Sequence, residues 1–322
     1  MPEPSPEPRE IAESVPAGVQ PLVLDPATPN APVVVERGAT KKLGIVGWLA
    51  IGWVAAIVLG ALLAPWLPIP TADQKFIVLA GDGPSLAHPF GLDGIGQDML
   101  ARVIYGARAS LLISVASVAF GLIGGSVLGL IAGYYRGKVD TVFSYVFNTF
   151  LAIPQLVLAL AIVAVFASEP TVTVAKREFW LVISIGIVSI PIIGRITRAS
   201  TLAWSQREFV LAARSMGAKN RRIIVRDVLP NVLPAMFSIA LLAIAVVIVL
   251  EGGLSILGVG VPTSTPSWGN LVATGRNELT KIVGAAPQVI FAPSFAIFAT
   301  VLSLNYLGDV VRARFDVRES AL

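Results

Sequence analysis

Few side chains in this sequence could carry out covalent chemistry. Cysteine is absent and His88 is the only histidine, which excludes thiolate nucleophiles and sites built from several histidines. The nearest approach to a phosphate-binding loop, AGYYRGKV at 132–139, lacks the first glycine and the hydroxyl residue after the lysine. No Ser-His-Asp set or metal-ligand cluster is evident. We therefore predict a chain that is not an enzyme, binds no ATP or other cofactor itself and does mechanical work.

A glycine-rich segment after His88 carries two acidic candidates for metal binding, Asp93 and Asp98. It lacks the alternating acidic ligands and downstream glutamate of a calcium-binding EF-hand loop, so no metal site is expected. Asp98 and Arg102 stand at the i,i+4 spacing of a helical ion pair. The glycines predict turns. The residues of interest in this motif are Gly91, Asp93, Gly96, Asp98, Arg102 and Arg108.

Glu251 is the one acidic residue close to the fifth apolar run described below. An ionisable group at membrane depth is a functional candidate, because leaving it charged and unpaired is costly. Alternatively, Glu251 lies near the outer interface, pairs with a backbone group or an arginine, and is architectural. Asn148, Gln155 and Asn305 are candidates for hydrogen bonds across helices or for lining a path. Prolines at 154, 191 and 293 each remove a backbone hydrogen bond and are predicted flexing points.

The elements that position these residues are apolar runs. The sequence is 55% hydrophobic and 14% charged, with a mean hydropathy of +0.78, which indicates an integral membrane protein. A helix needs about 20 apolar residues to cross a bilayer. The fourth of six uncharged runs is short, but arginines at 195 and 198 can extend it by snorkelling. The predicted spans are 43–69, 109–135, 141–168, 179–194, 228–250 and 282–308.

Basic residues predict the orientation of these spans. With the N-terminus inside, 17 of the 24 Lys and Arg residues are cytoplasmic and 7 are outside, as the positive-inside rule requires. Residues 1–42 are proline-rich, show no signal-peptide pattern and are predicted to form a disordered cytoplasmic tail. This orientation makes residues 70–108 an extracytoplasmic segment. Residues 109–308 then form a five-helix core with a cytoplasmic loop at 199–231, and residues 309–322 form a cytoplasmic tail. Topology therefore explains the net charge of +4 without nucleic acid.

The second run carries four glycines spaced four residues apart. Lipid supplies no hydrophobic drive for helix association, so small residues that let backbones approach are predicted packing sites, in the protein interior or at a subunit interface. Glycine is also simply frequent in membrane helices, which is the alternative explanation. The predicted helix-packing ridge comprises Gly121, Gly125, Gly129 and Gly133.

The stretch 207–230 is polar and basic although two apolar runs flank it, and it is longer than a connector needs. Helical spacing places Glu208, Ala212 and Ser215 on one face. Gly217 falls where a left-handed cap would end the helix. A second short helix over 220–228 is predicted to lead back into the bilayer. A second face comprises Phe209, Ala213 and Met216. Taken alone, this pattern also fits an ordinary amphipathic surface helix.

Four blocks of the sequence together resemble one family. Ala212, Ala213, Gly217 and the Leu-Pro pair at 229–230 match the EAA signature that marks the cytoplasmic coupling helix of ABC importer permeases. Three further blocks resemble the C-type subunits of the dipeptide/oligopeptide/nickel subfamily, in register over about 88–318. They are HPFGLDGIGQDMLARVIYGARASL from His88, LEGGLSILGVG from Leu250 followed by PSWGNLVATGR from Pro266, and NYLGDVVRARFDVR from Asn305. The sequence departs from the family pattern at Leu92, Gln97 and Asp227.

The resemblance implies an all-α integral membrane protein with six transmembrane helices and the type I, MetI-like fold. It implies a bacterial plasma membrane location with both termini cytoplasmic. The implied partners are a homologous B-type permease, one or two ABC ATPase subunits or a fused double ATPase that bind the ATP, an extracytoplasmic solute-binding protein or lipoprotein, a peptide substrate and membrane lipid. The implied ATPase-coupling residues are Glu208, Phe209, Ala212, Ala213, Met216, Gly217, Arg221, Leu229 and Pro230.

Di- and oligopeptides are the commonest cargo of this family, although relatives carry nickel, opines, glutathione or haem. Specificity in the family resides largely in the solute-binding protein. A different class of function is an ion-coupled secondary transporter or channel, for which Glu251 is the one available intramembrane acid. A third is a membrane scaffold that transports nothing.

Overall fold

The computed structural model describes residues 44–167, 172–279 and 286–319, and these ranges are mostly helical. Their only β pairings are two isolated bridges, Lys75 with Gln97 and Leu92 with Asp98. The predicted tail 1–42 and positions 282–285 of the sixth run lie outside the described residues. The all-α class is confirmed for the part of the chain that is described.

Long helices account for most of the described residues. Two single-turn 3₁₀ helices, Ala64–Trp66 and Ile77–Leu79, follow the first of them. In chain order the helices are α1 (Ile45–Leu63), α2 (Met99–Tyr135), α3 (Gly137–Ala152), α4 (Gln155–Phe166), α5 (Val174–Trp204), α6 (Glu208–Ser215), α7 (Asn220–Ile256), α8 (Trp268–Leu279) and α9 (Gln288–Glu319).

Two of these helices extend well beyond their predicted apolar runs. Helix α2 has 37 residues and begins at Met99, ten residues before the predicted start, because the Asp98 carboxylate accepts the Ala101 N–H and caps it. Helix α5 has 31 residues, whereas the uncharged run is 179–194. Helices of these lengths measure about 45–55 Å at 1.5 Å per residue, so their charged ends extend beyond a hydrocarbon core of about 30 Å.

The third predicted span is broken rather than kinked. Helix α3 ends at Ala152, α4 begins at Gln155, and their axes differ by 86°. Pro154 cannot donate a backbone hydrogen bond and restricts the residue before it, and Ile153 is accordingly extended, with φ −86° and ψ 129°. Among the described residues, five helices are long and apolar enough to cross a membrane, and the α3–α4 pair counts as a sixth span if it is taken as one.

Contacts between helix ends show why the chain makes six passes. Helices α2 and α5 run in the same direction, because Gly121 lies against Ser189 and Gly133 lies against Arg198. The chain must therefore return across the bundle between them. It does so through α3 and α4: Asp140 near the start of α3 forms an ion pair with Arg198, and Ala167 after α4 accepts a hydrogen bond from Arg177.

The glycine ridge lies inside this chain and not at a subunit interface. A Cβ atom at Gly125 would lie 2.7 Å from the Ile190 carbonyl oxygen, and one at Gly129 would lie 2.5 Å from that of Gly194. All four glycines are therefore positions where the backbones of α2 and α5 touch. Gly194 in turn accepts the Phe147 ring of α3, because a Cβ there would lie 2.6 Å from the ring edge. Helix α5 is thus clamped between α2 and α3.

The remaining helices complete the bundle around α2 and α5. Helix α7 runs antiparallel to α2, with the Tyr134 hydroxyl bonded to Asn220 at one end of the pair and Ser110 bonded to Glu251 at the other. Helix α9 packs on α7. Helix α1 lies at the outside, against α2 and α9, where Trp53 Nε1 donates to Thr300 Oγ1 at 3.0 Å.

We predict that Gly129→Ala destabilises the folded protein by about 1–3 kcal/mol, because the new methyl group overpacks a backbone contact that cannot yield. Gly52→Ala is the matched control, since Gly52 lies on the outer helix α1 and a Cβ there would meet no atom within 4 Å. The measurement is the thermal unfolding midpoint of the detergent-purified transporter. Equal midpoints for the two variants would show that α2 and α5 are not held at backbone contact.

Candidate functional site

Helix α6 has a defined start and a glycine cap at its C-terminal end. The extended residue Arg207 precedes it, and the Val210 N–H donates to the Arg207 carbonyl at 3.0 Å. At the other end, Gly217 has φ +79°, which confirms the predicted left-handed cap. The Gly217 N–H donates to the Arg214 carbonyl and the Ala218 N–H donates to the Ala213 carbonyl, both at 3.0 Å, which is the Schellman pattern.

One face of α6 packs against the ends of α2 and α5. Val210 is fully buried in a cluster with Tyr134 and Trp204. The guanidinium of Arg214 lies 5.6 Å from the Tyr134 ring centre and that of Arg207 lies 5.3 Å from the Trp204 ring. Two cation–π contacts and an apolar contact therefore couple α6 to the transmembrane helices.

The opposite face of α6 is exposed. Glu208, Ala212 and Ser215, which the helical spacing placed on one face, are all exposed. Phe209 is 44% and Met216 81% exposed, and both border this face. The outward surface of α6 thus combines small residues with apolar side chains that are partly or largely exposed in the described part of the chain.

The predicted face of Phe209, Ala213 and Met216 differs in exposure along its length. Ala213 is half-buried and packs on the cluster around Tyr134. The 3.6-residue period alone does not say which side of an isolated short helix meets the protein; the positions of Tyr134 and Trp204 decide it. Leu211, which the sequence did not single out, is 49% exposed.

The predicted short helix over 220–228 is helical, but it is the first part of α7 and not an element of its own. Asn220 begins α7, which continues without a break into the bilayer through a π-helical stretch, Ile223–Val228. Pro230 has no N–H to donate, and the Asn231 side chain donates to the Asp227 carbonyl at 2.7 Å. A wide turn followed by a proline therefore carries the chain from the coupling loop into the span. Leu229 packs inward on the same cluster as Val210.

The segment before α2 is held by two buried side-chain pairs, and the predicted Asp98–Arg102 pair is not one of them. Asp98 pairs with His88 at 2.7 Å and not with Arg102. Arg102 instead pairs with Asp93 at 2.8 Å, and the second oxygen of Asp93 accepts the N–H groups of residues 95 and 97. Asp98 cannot reach Arg102 because its carboxylate is engaged as the N-cap of α2.

Two glycines in this segment adopt backbone angles that other residues rarely adopt. Gly91 and Gly96 have φ values of +71° and +84°, in the left-handed region, and both approach neighbouring backbone too closely for a side chain. Arg108 lies further along α2, is exposed, and has no ion-pair partner among the described residues.

Glu251 is completely buried near the end of α7 and is bonded to hydroxyl groups, not to an arginine. The hydroxyls of Ser255 and Ser267 donate to one carboxylate oxygen at 2.9 and 3.0 Å, and that of Ser110 donates to the other at 3.4 Å. The Gly269 backbone N–H completes the cage. Glu251 therefore joins α2, α7 and α8, and the serines that hold it are too common in the sequence to have been recognised in advance.

The three amide candidates lie in different surroundings. Gln155 borders an elongated apolar cleft of about 190 Å³ between α4, α5 and α7, whose other lining residues include Ser189, Ile192, Leu242 and Val246. Asn305 donates to the Val301 carbonyl of its own helix, so the proposed bond across helices is not formed by it. Asn148 is exposed on α3.

The described residues form a bundle of five long apolar helices and the broken α3–α4 pair, with a short capped helix docked at one end. The same fold occurs in the inward-facing MetNI methionine ABC transporter. Its CY5 native crystal form superposes with a TM-score of 0.53 over 67% of this chain and 97% of that one, at 19% sequence identity. The CY5 SeMet soak form gives a TM-score of 0.52.

The chain belongs to the family of binding-protein-dependent transport system inner membrane components, whose pattern it matches over residues 125–320. It is 36% identical over 276 residues to the dipeptide transport system permease protein DppC of Alkalihalophilus pseudofirmus, covering 86% of each chain. It is also 36% identical over 235 residues to the glutathione transport system permease protein GsiD of Pectobacterium atrosepticum, covering 73% of this chain and 74% of that one.

These relationships define the general role of the chain. It is a non-catalytic, multi-pass permease subunit of an ABC importer in the inner membrane, and ATP hydrolysis belongs to partner subunits. The alternative of an ion-coupled transporter or channel is thereby excluded. Glu251, the one acidic residue that this alternative relied on, is instead bonded within the helix bundle.

Proposed function

We propose that the chain forms one half of the translocation path for short peptides, beside a homologous permease subunit, and receives its cargo from an extracytoplasmic solute-binding protein. The observation that carries this proposal is the 36% identity to a dipeptide permease over 86% of both chains. The glutathione permeases point the same way, because glutathione is itself a small peptide.

The proposed coupling surface is the outward face of α6. Ala212 and Ser215 leave room for a partner groove to approach, while Phe209 and Met216 offer apolar area at its border. Glu208 adds a charge at the first turn. An ATPase subunit seated here would move α6, and the contacts of Val210, Arg207 and Arg214 would carry that movement to α2 and α5.

A second mechanical link runs through α7. Gly217 lets the chain reverse, Leu229 packs against the inward side of α6, and Pro230 follows the π-helical stretch. Movement of α6 thus reaches the start of a helix whose far end is fixed by Glu251. Arg221, the remaining implied coupling residue, is exposed beyond the turn.

The proposed path follows the cleft between α4, α5 and α7. Gln155 and Ser189 are its polar lining residues, and the others are aliphatic. An apolar lining binds no particular peptide side chain strongly, which suits a path that follows an already selective binding protein. Pro154 and Pro191 lie beside or within helices that border this cleft, where a change of bend would alter its width.

The proposed orientation places α6 in the cytoplasm and residues 70–98 outside, with both termini cytoplasmic. The domain boundaries are those predicted, with two changes: the extracytoplasmic segment ends at Asp98, and the coupling loop ends at Lys219, where α7 begins. Six passes and the basic residues at the α6 end support this arrangement.

The first test is uptake. Proteoliposomes containing this chain, the second permease and the ATPase, with the binding protein outside, are expected to accumulate a labelled dipeptide only when ATP is enclosed. Vesicles lacking this chain are the control. Accumulation of nickel with no accumulation of dipeptide would overturn the peptide assignment while leaving the importer class intact.

We predict that Ala212→Glu lowers ATP-dependent uptake at least about tenfold, because it introduces an unpaired charge where the partner closes on α6. Ala203→Glu is the matched control, since Ala203 is also exposed but lies on the last turn of α5 outside the coupling surface. Copurification of the ATPase and membrane insertion are measured in parallel. Uptake that is equal in the two variants would place the docking surface elsewhere.

The natural absence of cysteine allows a direct test of orientation. In intact spheroplasts, a membrane-impermeant maleimide is expected to label Val78→Cys but to label Met216→Cys only after lysis. The two native side chains are 98% and 81% exposed, so access to the reagent is not limited by burial in the chain. The reverse pattern would invert the proposed topology.

A further inference from the structure

A cluster of basic side chains lines an open cleft at the start of α7. The cleft has a volume of about 530 Å³ and is bordered by Lys219, Arg221, Arg222, Val225 and Arg226, all of them exposed. No carboxylate contributes to its lining. Among the described residues, none of these four cations forms an ion pair.

The mutual repulsion of these positive charges is unfavourable while no anion is bound in the cleft. Arg222 and Arg226 stand four residues apart at the start of α7, and like charges at that spacing destabilise a helix. Lys219 and Arg221 add two more positive charges to the same opening. An anion in the cleft would remove this repulsion and form charge-assisted hydrogen bonds with the guanidinium groups.

The position of the cleft relative to the membrane indicates which kind of anion would bind there. Helix α7 is continuous from Asn220 to Ile256 and enters its apolar run at Val228, two residues beyond Arg226. At 1.5 Å per residue, the basic side chains begin within about 10–15 Å of the hydrocarbon boundary, which is the depth of lipid headgroups. Four to eight basic residues directly beside a membrane helix are typical of binding to anionic lipid.

The cleft includes Arg221, one of the residues that the family resemblance implies for ATPase coupling, but it does not include the outward face of α6. The outward face of α6 is formed by Glu208, Ala212 and Ser215, none of which borders the cleft. The lining residue Val225 is 51% exposed and carries no charge, which suits the apolar part of a lipid close to its headgroup.

We propose that this cleft binds the phosphate headgroup of an anionic phospholipid and so fixes the start of α7 at the membrane surface. The bound headgroup neutralises the charges of Arg222 and Arg226. It holds the start of α7 in place while α6 moves. This inference does not depend on a peptide cargo, because lipid binding can be measured on the purified complex whether or not it transports.

The experiment compares the wild-type complex with Arg222→Gln/Arg226→Gln, using phosphatidylglycerol in mixed micelles as the probe and native mass spectrometry as the readout. The variant is expected to retain phosphatidylglycerol with about tenfold lower affinity and to bind phosphatidylcholine as the wild type does. In proteoliposomes, phosphatidylglycerol should stimulate the binding-protein-dependent ATPase activity of the wild type and have little effect on the variant.

The matched control is Lys138→Gln/Arg314→Gln, which removes the same charge from exposed positions outside the cleft. Unchanged lipid retention in this control supports a specific site, whereas an equal loss in both variants overturns it in favour of diffuse attraction. Loss of ATPase copurification by Arg222→Gln/Arg226→Gln in lipid-free detergent would overturn the proposal and assign the cleft to the ATPase. Displacement of the lipid by soluble glycerol phosphate would identify a free phosphate site instead.

Discussion

The contact of α2 with α5 across four glycines is the constraint on which the rest of the bundle depends. Inside a bilayer, apolar side chains gain little by leaving lipid for protein, so helices associate through close packing and hydrogen bonds. The missing side chains at Gly125 and Gly129 let the two backbones touch. Because α2 and α5 run in the same direction, this pair also obliges α3 and α4 to carry the chain back across the membrane. Close packing thus determines topology as well as stability.

The two ends of the α2–α5 pair contact different functional segments. At one end, Tyr134 and Trp204 receive α6, and the helix presents its small residues outward. At the other, Glu251 is surrounded by hydroxyl groups from α2 and from the stretch before α8. Helix α7 joins the two ends directly, since Asn220 stands beside Tyr134 and Glu251 beside Ser110. A displacement at α6 can therefore reach the opposite end through a single helix.

The buried acidic groups at the end of the bundle near residues 70–98 are stabilised in the same way. A carboxylate removed from water must have its oxygens satisfied, and here each acid is satisfied locally by hydroxyls, backbone N–H groups or one ion pair. Asp93 and Asp98 consequently fix the preceding loop to the start of α2, and Glu251 joins α7 to Ser110, which is distant in sequence. At Pro154 and Pro230, by contrast, the proline nitrogen donates no backbone hydrogen bond.

The sequence by itself determined the helical membrane class, the six passes, the capped turn at Gly217 and the family, because these follow from hydropathy, residue type and local spacing. Only the tertiary structure decided that Ala213 faces inward, that Asp98 pairs with His88, that α3 and α4 are separate helices, and which hydroxyls hold Glu251. Those outcomes depend on which segments meet in space. Periodicity along one chain segment carries no information about the surface that will lie opposite it.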